Sequence, residues 1–425
     1  MIDRSCPPRL SAPAVSALPE PEVSVMDNGA TLAIFGGSDR PTCTLRVMFD
    51  GGASELGSVP LQNLLSSQIT EGTLSKSADE VADILDRNGA RHSPADSYHH
   101  TGFRLAMLNR RASEVMELMS EIYAAPAFEP RLLAAAQMRA EARLRHARST
   151  MPVLASEAIA PLIFGKSHPR SVPASSQQIA AVSPDALRAA HSRLCTAAGC
   201  YALLAGDVTA EVREAVEGFL NSLPAKQPEP IVVLPYEPDK AQTVRVERPE
   251  AVQCAVSAAI PAPLRSHPDY LPLRIAVMAL GGYFGSRLNV DIRERRGLTY
   301  GIGSALFGER DGSYIGISAQ CSAASVDALI DAVRNELLRL RTEPPCGAEL
   351  ERLRRHAATD ALETLDTPEA VASYYASMRI AAFPDAYFDT QQRIVASIGP
   401  DDIAEMAGRY LDPDALRIAV AGPAE

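Results

Sequence analysis

Two segments of the chain, SPDALRAAHSRL at residues 183–194 and GPDDIAEMAGRY at residues 399–410, align without a gap at an offset of 216 residues. Each opens with Ser or Gly before Pro, as a capped helix does, and continues with the same amphipathic spacing. The strands that follow also correspond, because YALLAGDV places Gly206 and RIAVAGPA places Gly422 at this same offset. The repetition predicts a tandem duplication of one domain of about 210 residues.

The segments that precede these helices recur in the same order in both halves of the chain. The matching pairs are TLRVMFDGGA with CAVSAAIPAP for a strand, PLQNLLSSQI with YLPLRIAVMAL for a helix, and ASEVMELMSEIYA with SVDALIDAVRNELLRL for a long amphipathic helix. A Gly-containing turn and a second pair of strands lie between the two helices of each half. Strand pairs separated by long helices favour an α+β fold in which helices pack on a mostly antiparallel sheet.

Proline-rich segments mark the expected domain boundaries. Residues 1–24 are expected to form an extended N-terminal arm. The next segment, VSVMDNGATLAIF, has two strand-like runs that flank the hairpin signal Asp-Asn-Gly. A second proline-rich segment, PAKQPEPIVVLPYEPDK at residues 224–240, has no helical pattern and is the expected linker. The N-terminal domain is therefore expected at residues 25–223 and the C-terminal domain at residues 241–425.

The composition is that of a globular protein with an acidic balance. Among 425 residues, 46% are hydrophobic and the formal net charge is -11, which disfavours nucleic acid or an anionic membrane as a partner because a polyanion needs a basic footprint. Seven scattered cysteines form no CxxC pair, so reduced thiols are expected. The N-terminal residues lack the apolar core of a secretory signal, and no apolar run is long enough to span a membrane. These features together favour a cytoplasmic location.

The most distinctive stretch of the second half is GGYFGSRLNVDIRERRGLTYGIGSALF at residues 281–307. It resembles the C-terminal domain of the M16 metallopeptidase family (pitrilysin, insulysin and mitochondrial processing peptidase), in which an Arg-rich helix end runs into Gly-Leu-x-Tyr at the start of a strand. The EGT turn, the His168-Pro169 dipeptide and the AGDVT strand end also recur in that family in this order. The resemblance therefore covers nearly the whole chain and implies two M16-type domains of the LuxS/MPP-like metallohydrolase fold.

The resemblance places the substrate-binding arginine and tyrosine of the family, spaced seven apart, on Arg293 and Tyr300. A guanidinium presents a planar fork of donors to a carbonyl or carboxylate, and a neighbouring phenol can donate to the same oxygen. Taken alone, Arg293 also fits a solvated helix end and Tyr300 also fits the core face of a strand. The surrounding family pattern favours substrate binding.

The inverted zinc motif of the family, HxxEH, is expected just ahead of the EGT turn in the first half. Counting back from that turn places its three functional positions on Asn63, Ser66 and Ser67, which share one helix face at spacings i, i+3 and i+4. Neutral amides and hydroxyls are poor zinc ligands, and they supply no base for a zinc-bound water. We therefore predict that this chain holds no zinc and has no catalytic residues of its own.

Other potential metal ligands in the first half are few. The third zinc ligand of the family, a glutamate on a later helix, falls on RAEARLR, where Glu141 stands alone among arginines and is interpreted as a solvated, ion-paired residue. His92, His99 and His100 cluster in RHSPADSYHH. Adjacent residues of a strand point to opposite faces, so at most one of His99 and His100 could share a site with His92. We expect no metal here, although one of these histidines could contact a substrate.

An M16-like chain with the arginine and tyrosine but without the zinc motif corresponds to half of an active site. In the split members of the family, one subunit brings the zinc and its general base while a homologous subunit brings the substrate-clamping residues. The resemblance therefore implies a catalytically inactive subunit that binds peptide, paired with an HxxEH-bearing M16 partner that supplies the zinc. A structural core-type subunit and a zinc peptidase with a metal site around the three histidines remain alternatives. Without its partner, the chain could also form a homodimer.

Overall fold

The structure is a computed structural model that describes residues 17–228, 230–384 and 386–424. Most of the expected N-terminal arm, including Cys6, lies outside these residues. Within the described ranges, no helix combines the length and the apolarity needed to cross a membrane. The expected linker, where it is described, contains neither helix nor strand. The domain boundaries themselves stay a prediction.

The first half contains a sheet with the strand order β1-β2-β6-β3-β5-β4. Its strands are β1 (Glu22–Val25), β2 (Thr31–Phe35), β3 (Thr42–Asp50), β4 (Arg91–Pro94), β5 (His100–Leu108) and β6 (Cys200–Gly206). The helices described with it are α1 (Ala53–Leu56), α2 (Val59–Gln68), α3 (Ala78–Arg87), α4 (Ala112–Ala124), α5 (Pro130–Ala147), α6 (Met151–Phe164), α7 (Ser176–Ala180), α8 (Pro184–Leu194) and α9 (Ala210–Ser222). As expected from Asp-Asn-Gly, β1 and β2 form an antiparallel hairpin.

The second half repeats this arrangement with the strand order β7-β11-β8-β10-β9. Its strands are β7 (Thr243–Glu247), β8 (Cys254–Ala262), β9 (Ile302–Gly308), β10 (Ser313–Cys321) and β11 (Arg417–Gly422). The helices are α10 (Tyr270–Val277), α11 (Val326–Thr342), α12 (Gly347–Glu363), α13 (Pro368–Ile380), α14 (Tyr387–Ser397) and α15 (Pro400–Tyr410), with π-helical segments at Met278–Gly282 and Asn289–Arg295. The repeated helices of the sequence are α8 and α15.

Each sheet is mixed, because one strand pair runs parallel while the remaining pairs are antiparallel. The parallel pairs are β2 with β6 and β11 with β7, which are equivalent in the two halves. The strands β6 and β11 end at Gly206 and Gly422, with φ of +127° and +154°. A Cβ at Gly206 would lie 2.4 Å from the Thr42 carbonyl oxygen, and one at Gly422 would lie 2.5 Å from Cys254 Sγ. The repeated glycine therefore ends an equivalent central strand in each domain, where a side chain has no room.

The two halves exchange one helix each. The helix α6, from the first half, packs Leu154, Ala155, Ile159 and Ile163 onto β8 and β11 of the second sheet. The helix α13, from the second half, packs Val371, Ala372 and Ala376 onto a patch of the first sheet that comprises Ala33, Phe35, Met48, Leu203 and Ala205. The outer face of each sheet is thus partly covered by a helix that its own half does not supply.

A buried ionic cluster joins the halves at the same interface. The Asp311 carboxylate, in the β9-β10 turn of the second half, accepts a hydrogen bond from Arg170 Nε at 3.1 Å and lies 3.5 Å from His99 Nε2. On its other side, His99 Nδ1 lies 3.9 Å from Glu55 Oε1, which also accepts a bond from the Val232 amide at 3.2 Å. The side chains of Glu55, His99 and Asp311 are at most 3% exposed. The imidazole therefore stands between one carboxylate from each half.

Burial disfavours a charge on His99, but the nearby carboxylates of Asp311 and Glu55 outweigh it, and the pKa of His99 is raised above its usual value. The Ser54 hydroxyl lies 2.9 Å from His99 Nδ1. Burial likewise favours the neutral form of Glu55, yet the nearby His99 imidazole, the Ser54 hydroxyl and two backbone amides together lower its pKa to about 2. The Asp311 pKa is also lowered, since His99 and Arg170 outweigh its burial. The cluster is therefore most stable with both acids ionised and His99 protonated.

A second ion pair crosses the interface between α13 and β3. Arg379 Nη2 donates to both carboxylate oxygens of Asp50 at 3.0 and 3.1 Å, and the guanidinium carbon lies 4.8 Å from the centre of the Tyr201 ring. His100 Nε2 lies 3.6 Å from the same carboxylate. Burial, followed by the positive charges of Arg310 and Arg379, lowers the pKa of His100 to about 3. His100 is therefore neutral, and its pKa shifts in the opposite direction to that of His99 beside it.

Truncating Leu203 tests how much the packing of α13 on the first sheet contributes to the free energy of unfolding. Leu203 is fully buried between the first sheet and α13, so Leu203→Ala should lower the free energy of unfolding by about 2 to 5 kcal/mol. Leu338 on α11 is 47% exposed, and Leu338→Ala should change it by less than about 0.5 kcal/mol. Urea unfolding followed by circular dichroism measures both values. Equal effects of the two substitutions would contradict the packing of α13 on this sheet.

Replacing His99 tests the ionic cluster through its pH dependence. Because the folded pKa is raised, the stabilisation by protonated His99 is complete below about pH 6.5, the pKa of histidine in an unfolded chain, and is lost as the pH rises through the folded value. Above about pH 6.5, the free energy of unfolding should therefore fall with rising pH in the wild type and fall less in His99→Gln. His146 on α5 is exposed, and His146→Gln should retain the wild-type slope. A slope unchanged in His99→Gln would mean that His99 is neutral in the folded protein.

Candidate functional site

The helix α2 carries the three positions that correspond to the zinc motif. It begins after Ser58, whose hydroxyl caps the Leu61 amide at 3.2 Å. The apolar stripe of Leu64, Leu65 and Ile69 is buried in the core of the first domain, as its spacing predicts. The remaining face holds Asn63, which is exposed, Ser66, which is buried, and Ser67, which is half-buried.

These side chains do not offer the donors that a zinc ion takes. Neutral hydroxyls and amides are not among the usual ligands of protein zinc sites, and the Ser67 hydroxyl donates to the Leu64 carbonyl of its own helix at 3.1 Å. Glu141 lies half-buried on α5, the helix that packs against α2. Across the described ranges, no group of three or more His, Cys, Asp or Glu side chains is arranged to hold a metal ion. The residues present on this face therefore do not fit zinc.

Gln62, one position before Asn63, fixes the helix to the β4-β5 turn. The Gln62 side chain is 3% exposed. Its amide donates to the carbonyl oxygens of Ser97 at 3.0 Å and His100 at 2.9 Å, while its oxygen accepts from the Ala53 amide at 3.1 Å. Sequence reasoning missed this anchor, although a glutamine inside an apolar stripe is itself a sign of a buried hydrogen-bonding role.

Asp96 is a further residue that sequence reasoning missed. It lies in the β4-β5 turn and accepts a hydrogen bond from the Gly102 amide at 3.0 Å. Burial raises its pKa, and the Ser66 hydroxyl and the Gly102 amide only partly oppose that shift. A half-buried carboxyl thus neighbours the α2 face, but its bond to Gly102 assigns it to the structure of the turn.

The structure separates the three histidines of the first half. His92 packs against Phe103 with ring centres 5.2 Å apart, and burial lowers its pKa to about 4. His99 and His100 are 3% and 1% exposed and belong to two different interdomain ion clusters, around Asp311 and around Asp50. No two of the three therefore share a set of partners, and both His99 and His100 are enclosed by protein atoms.

The second half brings Arg293 and Tyr300 together. Arg293 belongs to the π-helical segment Asn289–Arg295, and its Nε donates to the Tyr300 carbonyl oxygen at 2.9 Å. The guanidinium carbon lies 4.6 Å from the centre of the exposed Phe284 ring. These contacts hold the plane of the guanidinium, while the Tyr300 carbonyl occupies only one of its donors. A planar fork held in this way can bind an oxygen with its remaining N–H groups.

The Tyr300 side chain projects into solvent from an anchored backbone. The residue is 93% exposed and lies outside β9, so it is not a core residue of the strand. Its neighbour Thr299 is buried, and the Thr299 hydroxyl lies 2.6 Å from the Gln320 carbonyl oxygen and 2.9 Å from that of Gly301. Thr299 thus fixes the backbone from which the phenol extends, a role that sequence reasoning missed in GLTYG.

Arg293 and Tyr300 line one open cleft. The cleft has a volume of about 670 Å³ and is also lined by residues from the neighbouring strand ends, including Gln253, Thr299, Gln320 and Ser322. Charged, hydroxyl and amide groups therefore face a common space that is open to solvent. This arrangement can bind a polar main chain. The lining also includes the Glu294 carboxylate, 4.0 Å from Arg293 Nη1, and Cys321. Burial raises the pKa of the Cys321 thiol to about 11, so this thiol stays protonated.

Two family models match the chain. The model of the peptidase M16 inactive domain matches residues 181–356, and that of insulinase (peptidase family M16) matches residues 39–168. A curated relative, an uncharacterized zinc protease of Bacillus subtilis called YmxG, is 21% identical over 293 residues, which cover 68% of this chain and 71% of YmxG.

Solved structures resemble the fold across almost the whole chain. A peptidase M16 inactive domain from Pseudomonas fluorescens superposes with a TM-score of 0.85 at 22% identity, covering 95% of this chain and 98% of the other. A protease from Helicobacter pylori superposes with a TM-score of 0.84 at 18% identity, covering 96% and 100%. At these identities the structures support the two-domain α+β fold alone, whereas the sequence models establish the family. The chain belongs to the M16 peptidase family.

Proposed function

We propose that this chain is the catalytically inactive, substrate-binding subunit of a heteromeric M16-type peptidase. The observation that carries the proposal is the geometry of Arg293 and Tyr300. The guanidinium is oriented by the Tyr300 carbonyl, and the phenol is 93% exposed in the same cleft. A homologous partner chain bearing HxxEH would supply the zinc ion and the general base.

In this proposal, Arg293 binds a carbonyl or carboxylate oxygen of the peptide, and the Tyr300 hydroxyl donates to the same oxygen. Charge-assisted hydrogen bonds of this kind contribute about 1.5 to 3 kcal/mol where water is excluded. The two residues thereby fix the register of the peptide, which is a positioning contribution rather than bond cleavage. The polar cleft around them supplies further partners for a peptide main chain.

The side chains on the α2 face support a complex in which a second chain supplies the zinc ion and the general base. Asn63, Ser66 and Ser67 offer neutral oxygen and nitrogen atoms where a zinc peptidase needs imidazole and carboxylate. The alternative metal site around the histidines is disfavoured by the separate ion pairs of His99 and His100. A purely structural subunit would leave Arg293 and Tyr300 without a ligand. Substitution of Arg293 would then leave turnover unchanged, whereas it would lower the turnover of a complex in which Arg293 binds the peptide.

Substituting Arg293 in the assembled complex tests the peptide clamp. Loss of one charge-assisted contact should lower kcat/KM by about tenfold to a hundredfold in Arg293→Ala. Arg295 is exposed on the same segment, and Arg295→Ala should leave turnover near the wild-type value. Steady-state cleavage of a fluorogenic peptide by complexes captured through a tag on this chain measures both variants. Unchanged turnover in Arg293→Ala would favour the structural core-type subunit instead.

Metal analysis of the isolated chain tests whether the zinc ion belongs to the partner chain alone. The purified chain should contain no stoichiometric zinc and should cleave no peptide. The triple variant Asn63→His, Ser66→Glu, Ser67→His should also lack peptidase activity, because a third ligand is still missing. Elemental analysis and peptide cleavage with and without a chelator provide the measurements. Tightly bound zinc together with chelator-sensitive activity in the wild-type chain would refute the proposal.

A further inference from the structure

The outer face of the first sheet presents arginines beside the area that α13 covers. Arg46 on β3 stands directly opposite Arg104 on β5 in the antiparallel register, so both side chains project from the same face. This face lies opposite the core, because the alternate residues Leu45 and Phe103 are fully buried in the first domain. Arg91 on β4 pairs with Ala106, two residues from Arg104, and adds a third guanidinium to this face.

The pair of Arg46 and Arg104 is electrostatically unfavourable as it stands. Like charges directly opposite each other on neighbouring strands are destabilising. The pKa of Arg46 is lowered, first by its burial and then by the positive charge of Arg104. Arg46 Nε is buried and has no hydrogen-bond partner among the described residues. In a chain of net charge -11, two adjacent arginines without a described carboxylate partner indicate a place for an external anion.

The second half shows that the fold does not require charge at these positions. By strand register, Arg46, Arg104 and their neighbour Ser93 correspond to Ser257, Ser318 and Gly303. Those three small residues line an open groove of about 570 Å³ between α6 and the second sheet. The equivalent positions of the first half thus carry two long cationic side chains, whereas the second half leaves open space there.

We propose that Arg46 and Arg104 form a site for the carboxylates of an acidic, extended peptide. Two guanidinium groups on adjacent strands can bind a carboxylate from both sides, and each presents a planar fork that matches its geometry. Arg91 continues the positive charge toward the edge strand β4, where an extended segment could lie. The inference rests on the proposed function for the source of the peptide, but the site itself is separate from Arg293 and Tyr300.

Fluorescence anisotropy on the isolated full-length chain tests this site. The probe is a short labelled peptide with Glu at alternate positions, compared with the same peptide carrying Gln instead. The wild type should bind the Glu peptide at least about tenfold more tightly, and Arg46→Gln with Arg104→Gln should abolish that preference. Free-acid and amidated C-termini distinguish a terminal carboxylate from side-chain carboxylates as the bound group.

Three further variants distinguish binding at this site from binding elsewhere on the chain. Arg131 is exposed on α5, a helix whose buried residues belong to the core on the opposite side of the first sheet, so Arg131→Gln should bind like the wild type. Arg293→Ala should also retain the preference for Glu, which distinguishes this site from failure of the peptide clamp. Arg104→Lys should bind with intermediate affinity, because it keeps the charge but loses the bidentate fork.

Thermal unfolding supplies an independent readout. Removing the like-charged pair should leave the melting temperature of the double variant equal to or above that of the wild type. The Glu peptide should raise the melting temperature of the wild type but not that of the double variant. Equal preference for Glu in the wild type and the double variant would overturn the inference, as would binding of a DNA oligonucleotide without binding of the Glu peptide.

Discussion

The exchange of α6 and α13 between the two halves is the packing constraint on which the rest of the structure depends. Each sheet buries one face in its own core, and part of its other face is covered only by a helix from the other half. Separation of the halves would expose both apolar patches to water, at a free-energy cost proportional to their area. The two domains therefore hold a fixed relative arrangement, which the ionic cluster around His99 and Asp311 reinforces with buried charges of opposite sign.

This arrangement explains why duplicated domains can carry different chemistry. The duplicated elements retain their strand order, their capped helices and the glycines at the ends of β6 and β11. Residues outside the packed faces are free to differ, because a change there does not alter the core. The α2 face holds Asn63, Ser66 and Ser67 without loss of the helix, while the second domain presents Arg293 and Tyr300 to an open cleft.

The two outer sheet faces differ in the same way. In the second half, small residues leave a groove beside α6, whereas the first half places Arg46 and Arg104 at equivalent strand positions. A like-charged pair in that position weakens the folded state unless an anion joins it. Stability of the fold does not account for its presence, so anion binding accounts for it more directly.

The sequence alone determined the features that depend on local spacing. The helix caps, the apolar stripe of α2 and the hairpin at Asp-Asn-Gly each result from neighbouring residues, and the structure contains all of them. The 216-residue offset was also visible, because the repeated segments can be compared directly in the sequence. The resemblance to the M16 family, carried by one short segment, singled out Arg293 and Tyr300 as candidate residues. Only the tertiary structure decided that α6 and α13 cross to the opposite halves, that His99 lies between Glu55 and Asp311, and that Arg46 faces Arg104. These contacts join residues far apart in the chain, and a local sequence pattern does not specify which distant side chains come into contact.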